Sequence, residues 1–482
     1  RRYTPEDWKD VLFRTGQRVD GSVRFSGGNE RMTHFTSFGY SKEDGYLEGS
    51  DFKRFSVRNN VESKVTSWLK LTSNLAFSRM EYNYGVSNSG ASNNAFTFAN
   101  LVPSLFGVYM RDEQGNIVTD PKTGGAMYDY GNDYSRPFSM GINPAGSGEW
   151  DINDNTTNQF VGNGSAEVRF LKDFRLVANV GVQYGHTRLN NLMNPFYGDG
   201  ENANGRLDIE TDEFLSTTAN QILYWGHNYG GHNLSAFVGH ESQYYRMNVM
   251  YGRKSNLVIS DMPEFSNAVV NESLDSYAYE TALESYFGQI SYDFNNKYFV
   301  NASLRGDGSS RFGDGHRWGT FGWNITSEDF MKDITWLKNL KLKASWGLLG
   351  NQNIVVSTSN VINSYPSLDL SSIGNMNDQL SLAFAYKGNP LLTWEKSSNF
   401  NVGVEGEVNY FHKRTYDMLF SKTVSPSFGY SQIPVNEGGM VNQGVEFNLT
   451  AHLVKTSDWR FDFRVNGGWY QNKITEMPMD ES

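Results

Sequence analysis

The sequence predicts an all-β protein, a large antiparallel β-barrel that crosses a membrane and carries long extracellular loops. Three observations predict this fold class: apolar and polar residues alternate over long segments, the links between those segments alternate between short and long, and aromatic residues are abundant. The 482 residues include 27 Tyr, 32 Phe and 11 Trp but only 12 Pro. Aromatic side chains favour strands, and Tyr and Trp favour the interface between membrane and water.

The alternation has the period of a β-strand. Near the end of the chain, Trp459, Phe461 and Phe463 share one face, whereas Arg460 and Arg464 take the other. Successive side chains of a strand point to opposite faces, which gives this period of two. Comparable segments begin at Phe174, Tyr298, Leu340 and Val445. Runs of about 10 to 14 residues exceed most globular strands and match a tilted bilayer crossing. We count about sixteen such strands along the chain.

The links between these strands are sorted by length. Short links are predicted at 172–173, 227–232, 295–296, 405–407 and 455–458. Long links are predicted at 82–157, 189–212, 250–282, 350–392 and 421–440. Outer-membrane barrels have short periplasmic turns and long outer loops, whereas a soluble sandwich has no reason to sort its links by end. Within the long links, we predict helical character only at 93–102.

Aromatic residues mark the starts of several strands. Trp68, Phe174, Tyr298 and Trp459 each follow a short polar turn. This placement predicts an aromatic girdle at the membrane interface on the turn end of the barrel. The alternative is an ordinary soluble sheet whose strands are capped by aromatic residues.

The composition argues against several other classes of protein. No run of about 18 or more apolar residues exists, so no transmembrane helix is predicted. A net charge of −11 argues against nucleic acid as a partner, because phosphate binding needs a basic face. The acidic charge would suit neutral or cationic solutes, although an ordinary soluble surface is equally acidic.

The sequence predicts no catalytic site. His240 and Glu241 begin an H-E-x-x-H zinc motif, but Tyr244 stands where the second His is required. No G-x-S-x-G motif for a serine nucleophile is present. Cysteine is absent, which removes thiolate nucleophiles and cysteine metal sites. We therefore predict that the protein is not an enzyme and has no catalytic or metal-binding residues.

One loop segment partly imitates a calcium site. Asp151, Asn153 and Asn155 resemble the opening of an EF-hand loop, yet Thr156 replaces the turn glycine and Gly162 the terminal Glu. No cofactor is expected, and an irregular loop calcium site is kept as an alternative.

The tripeptide Arg305-Gly306-Asp307 has the sequence of an integrin-binding motif. We interpret it instead as part of a strand end, where Gly306 and Gly308 would allow unusual backbone torsions.

Several long motifs resemble those of the SusC/RagA family of TonB-dependent outer-membrane transporters. The resemblance is carried by 300–313, 317–321, 323–330, 342–352, 389–396 and 410–415. Near the start, 11–16 and 51–56 are similar to the stretch where the plug of that family gives way to the barrel.

This resemblance implies a barrel of about 22 strands built by one chain and closed by an N-terminal plug. We accordingly assign 1–18 to a plug-to-barrel transition and 19–482 to the barrel. A plug and a TonB box are expected before the barrel and further strands after it. Residues that the family carries are expected to be missing at 321–323 and 404–408.

The resemblance also implies the function and its partners. The expected activity is TonB-dependent active import of a glycan or peptide oligomer across the outer membrane of a Gram-negative bacterium. A SusD-like surface lipoprotein would cover the outer loops, TonB would act through the plug, and lipid would surround the barrel. The alternatives are a passive porin or surface adhesin and, third, a soluble secreted β-protein that binds or cleaves glycans. The sequence leaves open the choice between glycan and peptide, and the oligomeric state.

Aromatic residues of the loops are the candidates for substrate contact, since sugar rings and peptides both stack on aromatic faces. These candidates are Tyr82, Tyr84, Tyr128, Tyr130, Tyr134, Phe196, Tyr197, Tyr365 and Tyr386. The alternative for each is that it packs its own loop. A second group, predicted to face the lumen or the plug, comprises Lys341, Lys343, Arg460, Asp462 and Arg464.

Overall fold

The computed structural model describes residues 5–84, 94–132, 136, 139–329, 341–354, 364–377, 379–404, 408–455 and 458–477, with side chains throughout except at 326–329, 341, 451–453 and 455. Within these ranges, no helix has both the length and the apolar character needed to span a membrane.

The described residues contain twenty strands, and sixteen of them form one antiparallel sheet. This agrees with the predicted number and fold class. The strands in chain order are β1 Gln17–Gly28, β2 Met32–Asp44, β3 Ser50–Lys64, β4 Leu69–Tyr84, β5 Ile152–Phe170, β6 Phe174–Met193, β7 Arg206–Tyr229, β8 His232–Leu257, β9 Ala268–Phe294, β10 Tyr298–Ser309, β11 Trp318–Asp329, β12 Lys341–Asn351, β13 Leu370–Met376, β14 Gln379–Tyr386, β15 Glu395–Val404, β16 Val408–Tyr416, β17 Leu419–Thr423, β18 Gln432–Asn436, β19 Gly439–Lys455 and β20 Arg460–Glu476. The sheet follows chain order from β1 to β20, while the hairpins β13–β14 and β17–β18 stand outside it.

Among the described residues, three short α-helices are present. α1 Trp8–Leu12 precedes β1, and α2 Ala95–Leu101 and α3 Pro144–Trp150 lie in the link between β4 and β5. An Asn or Asp side chain begins each of them. At α2, Asn94 Oδ1 accepts hydrogen bonds from the backbone N–H groups of Phe96 and Thr97 at 2.9 and 3.2 Å, which satisfies donors that have no partner within the helix. The helical character predicted at 93–102 is confirmed by α2.

The two ends of the sheet differ in the way predicted. At the turn end, links of two or three residues join β5 to β6, β7 to β8 and β9 to β10. Asn295 and Asn296 in the last of these have φ of 52° and 53°, a left-handed backbone that asparagine tolerates better than most residues. At the loop end, the link between β4 and β5 contains α2 and α3. The short links predicted at 405–407 and 455–458 fall wholly or partly outside the described residues.

Two of the predicted long links are wrong in extent. Within 189–212, β6 continues to Met193 and β7 begins at Arg206. Within 250–282, β8 continues to Leu257 and β9 begins at Ala268. The end of β8 and the start of β9 lack a regular alternation of apolar and polar residues, which hid them from the prediction. The start of β7 does alternate, with Leu207 and Ile209 on one face and Asp208 and Glu210 on the other, so there the prediction missed a signal that the sequence carries. The links predicted at 350–392 and 421–440 likewise contain the hairpins β13–β14 and β17–β18.

The sheet has an apolar face and a polar face. Val238, Gly288 and Leu304 lie side by side on β8, β9 and β10. Val238 and Leu304 remain 61% and 63% exposed. Other exposed apolar side chains on this face are Val23, Phe38, Leu75, Val180, Ile290, Val402, Val445, Phe463 and Val465. A continuous apolar surface of this size is not stable in water and is expected of the lipid-facing side of a membrane barrel. We call this side the outer face and the opposite, polar side the inner face.

The aromatic residues predicted to form a girdle lie at the turn end. Phe174 stacks on Phe170 across the β5–β6 turn with ring centroids 5.7 Å apart, and Tyr298 stacks on Phe294 at 6.3 Å. Trp68 and Trp459 are exposed beside other turns. Their amphipathic rings suit the headgroup level of a bilayer.

Two expectations from the family resemblance remain predictions. The first is that residues are missing at 321–323 and 404–408. At the first junction, β11 pairs with both neighbours through Gly322 and Trp323 without a register shift. At the second, 405–407 lie outside the described residues, and neither observation tests whether residues are missing. β1 begins at Gln17, next to the predicted boundary at residue 18. Before it, Phe13 forms a bridge with Leu47 at the loop end.

Candidate functional site

The loop end contains a compact core of its own, which we call the loop core. It is formed by α1, the link between β4 and β5, and Tyr197 of the link between β6 and β7. Its buried residues are Trp8, Leu12, Ala95, Phe98, Ala99, Val102, Val108, Tyr128, Tyr130 and Tyr197. Trp8 packs edge-on against Phe98 at 4.7 Å and donates its indole N–H to the Phe106 carbonyl at 2.9 Å. Burial of these aromatic rings holds a long link in a defined shape.

Three of the predicted substrate-contact residues belong to the loop core. Tyr130 and Tyr197 stack with centroids 5.1 Å apart, and Tyr128 donates its hydroxyl to the Glu149 carboxylate. Burial and the bond to Glu149 raise the pKa of Tyr128 far above its ordinary value. Phe196 packs edge-on against Trp150 at 5.3 Å. Tyr130 with Tyr197 and Trp150 with Phe196 each join the link between β4 and β5 to the link between β6 and β7. These rings therefore pack one loop against another, and the alternative that each packs its own loop does not describe them.

The other predicted aromatic residues are dispersed over the loop end. Tyr82 and Tyr84 pack edge-on at 5.1 Å at the end of β4, and Tyr84 is exposed. The hydroxyl of Tyr365 accepts a hydrogen bond from the backbone N–H of Glu280 on β9 at 2.9 Å. Tyr386 ends β14, and Tyr134 lies outside the described residues. The structure therefore does not gather the predicted residues into one surface.

Of the residues predicted to face the lumen, the four whose side chains are described lie on the inner face. Lys343 lines a cavity of about 490 Å³ together with Asn401, Lys413 and Glu446. On β20, Arg460 pairs with Asp462 at 2.8 Å and Arg464 lies opposite Thr450. The side chain of Lys341 is outside the described set.

A polar network crosses the middle of the inner face. Asn179 donates to Asn220 at 2.7 Å, and Asn220 lies 3.4 Å from Glu241. Arg305 donates to Glu241 at 3.1 Å, to Ser285 at 2.9 Å and to Asp307 at 2.6 Å. A hydrated wall of this kind can contact polar solutes or a protein plug, because its groups are only partly satisfied by one another.

The predicted role of Gly306 and Gly308 is wrong. Both lie inside β10, and neither has a positive φ. Gly308 is instead a site of close approach, since a Cβ there would lie 2.8 Å from the Trp318 ring. The flanking Arg305 and Asp307 bind each other on the inner face, so the tripeptide is part of the wall and not a free loop.

An aromatic surface that the sequence did not reveal lies on the inner face at the loop end. Phe214 and Tyr245 stack with centroids 6.4 Å apart, and Tyr279 lies 6.0 Å from Tyr245. Tyr277, next on the same face of β9, is 58% exposed. We call these four side chains the inner aromatic patch. Phe214 is the neighbour of Met247, which is the neighbour of Tyr279, so only strand pairing brings the patch together.

Carboxylates continue the patch along β7. Asp208 is neutralised by Arg253, with contacts of 2.5 and 2.9 Å. Glu210 and Asp212 follow at intervals of two and therefore share the same face. Among the residues that the structure describes, neither has a cation within ion-pair distance, and Asp212 Oδ1 is shielded from solvent without a hydrogen-bond partner.

The geometry offers little for catalysis or metal binding. His240 faces outward beside Tyr286 while Glu241 faces inward to Arg305, so the two cannot share one metal ion. Within the described ranges, no group of three or more His, Asp or Glu is placed to hold a metal. Asp151 accepts hydrogen bonds from the backbone and side chain of Asn194 at 2.8 and 2.6 Å. The loop calcium site stays an untested prediction.

Comparison with known proteins gives one consistent result. Residues 115–480 match the model of the protein family described as TonB dependent receptor-like, beta-barrel. The chain is 28% identical to the TonB-dependent receptor SusC of Bacteroides thetaiotaomicron over 98% of this chain and 48% of SusC. It is 23% identical to the TonB-dependent receptor P3 of Formosa agariphila over 98% of this chain and 47% of that protein. The chain spans about half the length of these curated relatives.

Superposition on solved structures agrees with this family match. The RagAB peptide transporter superposes with a TM-score of 0.81 at 25% identity, over 98% of this chain and 53% of the matched chain. The ferripyoverdine receptor of Pseudomonas aeruginosa superposes with a TM-score of 0.54 at 11% identity over 96% of this chain and 56% of the receptor, which shows the fold alone.

Proposed function

The chain belongs to the TonB dependent receptor-like β-barrel family of the outer membrane, and from this premise we propose that it forms the wall of a transporter that imports glycan or peptide oligomers. The observation that carries the proposal is the sheet itself, with an exposed apolar outer face and a charged, hydrogen-bonded inner face. Such a wall separates lipid from a hydrated passage.

The energy for import would come from TonB acting on a plug. The wall is a continuous antiparallel ladder from β1 to β20, and its inner polar network is joined across five strands from β6 to β10. A hydrogen-bonded ladder of this kind is suited to remain fixed while a plug moves against it. The partly satisfied inner groups would bind the plug at rest and hydrate the passage when it opens.

A SusD-like lipoprotein is the proposed partner at the loop end. The hairpin β13–β14 presents one apolar face, on which Ile373 and Leu382 are directly opposed and are 79% and 67% exposed. Phe384 extends this face to Tyr430, with centroids 6.2 Å apart. Contiguous exposed apolar surface marks a protein interaction site.

Import is tested with the full-length gene in its own cell. Uptake of fluorescent oligosaccharides and peptides is measured in the parent, a deletion strain and the complemented deletion, with and without a protonophore. We expect uptake of one substrate class to require both the gene and an energised inner membrane. Uptake that needs the gene but persists with the protonophore would identify a passive porin, and unchanged uptake with lost surface attachment would identify an adhesin.

A further inference from the structure

We infer that the inner aromatic patch, with Glu210 and Asp212, binds Lys or Arg side chains of an extended peptide, and so selects cationic peptides as cargo. This inference rests on the proposed function, since it assigns a substrate class to the same transporter. It concerns a surface at the loop end of β7, β8 and β9 that none of the sequence motifs identified.

The position of the patch suits the first contact with cargo. Phe214 lies fifteen residues from Tyr229 at the turn end of β7, which corresponds to about 50 Å along the strand and about 35 Å across the membrane at a tilt of about 45°. The hydrocarbon band is about 25 Å tall. The patch therefore lies beyond the membrane on the cell exterior, facing the axis of the barrel.

The charge of the surface selects for cations. The Asp212 carboxylate is close enough to the hydroxyls of Tyr245 and Tyr277 to interact with them electrostatically, and Glu210 acts on Tyr277 in the same way. The basic groups beside this surface already have partners: Arg253 pairs with Asp208, and Arg311, beside Tyr279 at the opposite edge, donates to Asn353 at 3.3 Å. Asp212 is only partly buried and its shielded oxygen has no donor, so the negative charge of its carboxylate is uncompensated and can attract an ammonium or guanidinium group.

The aromatic rings add a second interaction with the same chemistry. The faces of Tyr and Phe rings attract ammonium and guanidinium groups, and they also cover the apolar stems of Lys and Arg. Tyr277 is the most exposed member of the patch and is the strand neighbour of Val249, which is itself the neighbour of Asp212. A cation held by Asp212 would therefore lie within reach of a ring face.

The spacing favours a peptide over a sugar oligomer. Glu210 and Asp212 are two residues apart on one strand face, which separates their Cα atoms by about 7 Å. An extended peptide repeats its own side chains on one face at the same interval. Alternate Lys or Arg residues of a bound peptide would thus meet successive carboxylates.

The test measures binding to the full-length protein purified with its lipoprotein partner. The probes are a short peptide with Lys at alternate positions, the same peptide with Gln in place of Lys, and a short oligomer of glucosamine. The variant Glu210→Gln with Asp212→Asn removes both charges with little change of shape. The control Glu213→Gln removes one charge from the outer face of the same strand, beside Asn248.

We expect the wild type to bind the Lys peptide more tightly than the Gln peptide at low salt, with the difference reduced at high salt. The double variant should weaken binding of the Lys peptide about tenfold, which corresponds to about 1.4 kcal/mol, and leave the Gln peptide within about twofold. The control should bind like the wild type. Unchanged Lys-peptide binding in the double variant, or equal loss for the Gln peptide, overturns the inference.

Tighter binding of the glucosamine oligomer than of the Lys peptide would also overturn it, because the cation would then come from a sugar. Binding is measured without an energised membrane. Failure of energy-dependent uptake would therefore contradict the proposed function without changing the measured preference for the Lys peptide. Loss of that preference would overturn this inference without changing the uptake result.

Discussion

Replacing Leu304 by Arg tests whether the apolar face meets lipid. Leu304 lies six residues above Tyr298 at the turn end of β10, which places it about 14 Å into the bilayer, near the midplane of a band about 25 Å tall. Its neighbours across the strands are Gly288 and Gly322, so no adjacent side chain covers it. An Arg at the midplane of a barrel costs about 2–4 kcal/mol.

The measurement is the free energy of unfolding of the full-length protein in phospholipid vesicles, obtained by denaturant titration. Leu304→Arg should be less stable than Leu304→Ala by about 2–4 kcal/mol, or about 30- to 900-fold in the unfolding equilibrium constant. The matched control is Ser303→Arg, since Ser303 lies at the same depth on the inner face, opposite Trp323. That variant should change stability by less than about 1 kcal/mol. Equal destabilisation by Arg at 303 and at 304 would refute the assignment of the two faces.

Three further predictions follow from the structure. Arg305→Gln should lower stability by about 1–3 kcal/mol in the same titration, because it leaves carboxylates such as Asp307 unpaired in a partly screened site. Ile373→Asp with Leu382→Asp should reduce co-purification of the lipoprotein partner at least about tenfold without changing the melting temperature, since both side chains are already exposed. Burial raises the pKa of Asp151 to about 6, so its folded state binds a proton more readily than the unfolded chain. The loop core should then lose about 1 kcal/mol of stability as pH rises from 5 to 7, measured by hydrogen exchange.

Each of these predictions has a matched control. Arg305→Lys keeps the charge and should cost less than Arg305→Gln, and equal losses would contradict an electrostatic role. Ser381→Asp places a charge on the opposite face of the same hairpin, beside Gly374, and should leave the partner bound. Loss of the partner in both variants would indicate a misfolded hairpin. Asp151→Asn cannot titrate, so exchange in the loop core should become independent of pH in this window. A persistent pH dependence would assign the effect to another group.

The strands within the bilayer could be predicted from the sequence because lipid imposes a local rule. Each residue that faces lipid must be apolar and each neighbour can be polar, so Phe461 and Phe463 identify β20 without any knowledge of its partners. Beyond the bilayer that rule ends. The upper part of β9 carries polar residues on both faces, such as Asp275 and Ser276, and for that reason it was predicted as a loop.

The candidate site was harder to predict than the fold. Tyr128, Tyr130 and Tyr197 are the residue type expected of a binding loop, and the structure buries them in a core that joins two different links. Phe214 and Tyr245 lie in segments predicted as strands, but the alternation does not say which residues of two strands are neighbours, and only their stacking distance reveals the patch. An aromatic residue in a long link can pack or bind, and its residue type does not distinguish the two.

By itself, the sequence determined the class of fold, the sorting of turns and loops, and which face of each membrane strand meets lipid, because all three depend on neighbours along the chain. Only the tertiary structure decided which residues of different strands meet, such as Glu241 with Arg305 and Tyr245 with Tyr279. Register between strands is set by pairing over the whole ladder. The charges and rings proposed to contact a cargo are therefore brought together only when neighbouring strands pair.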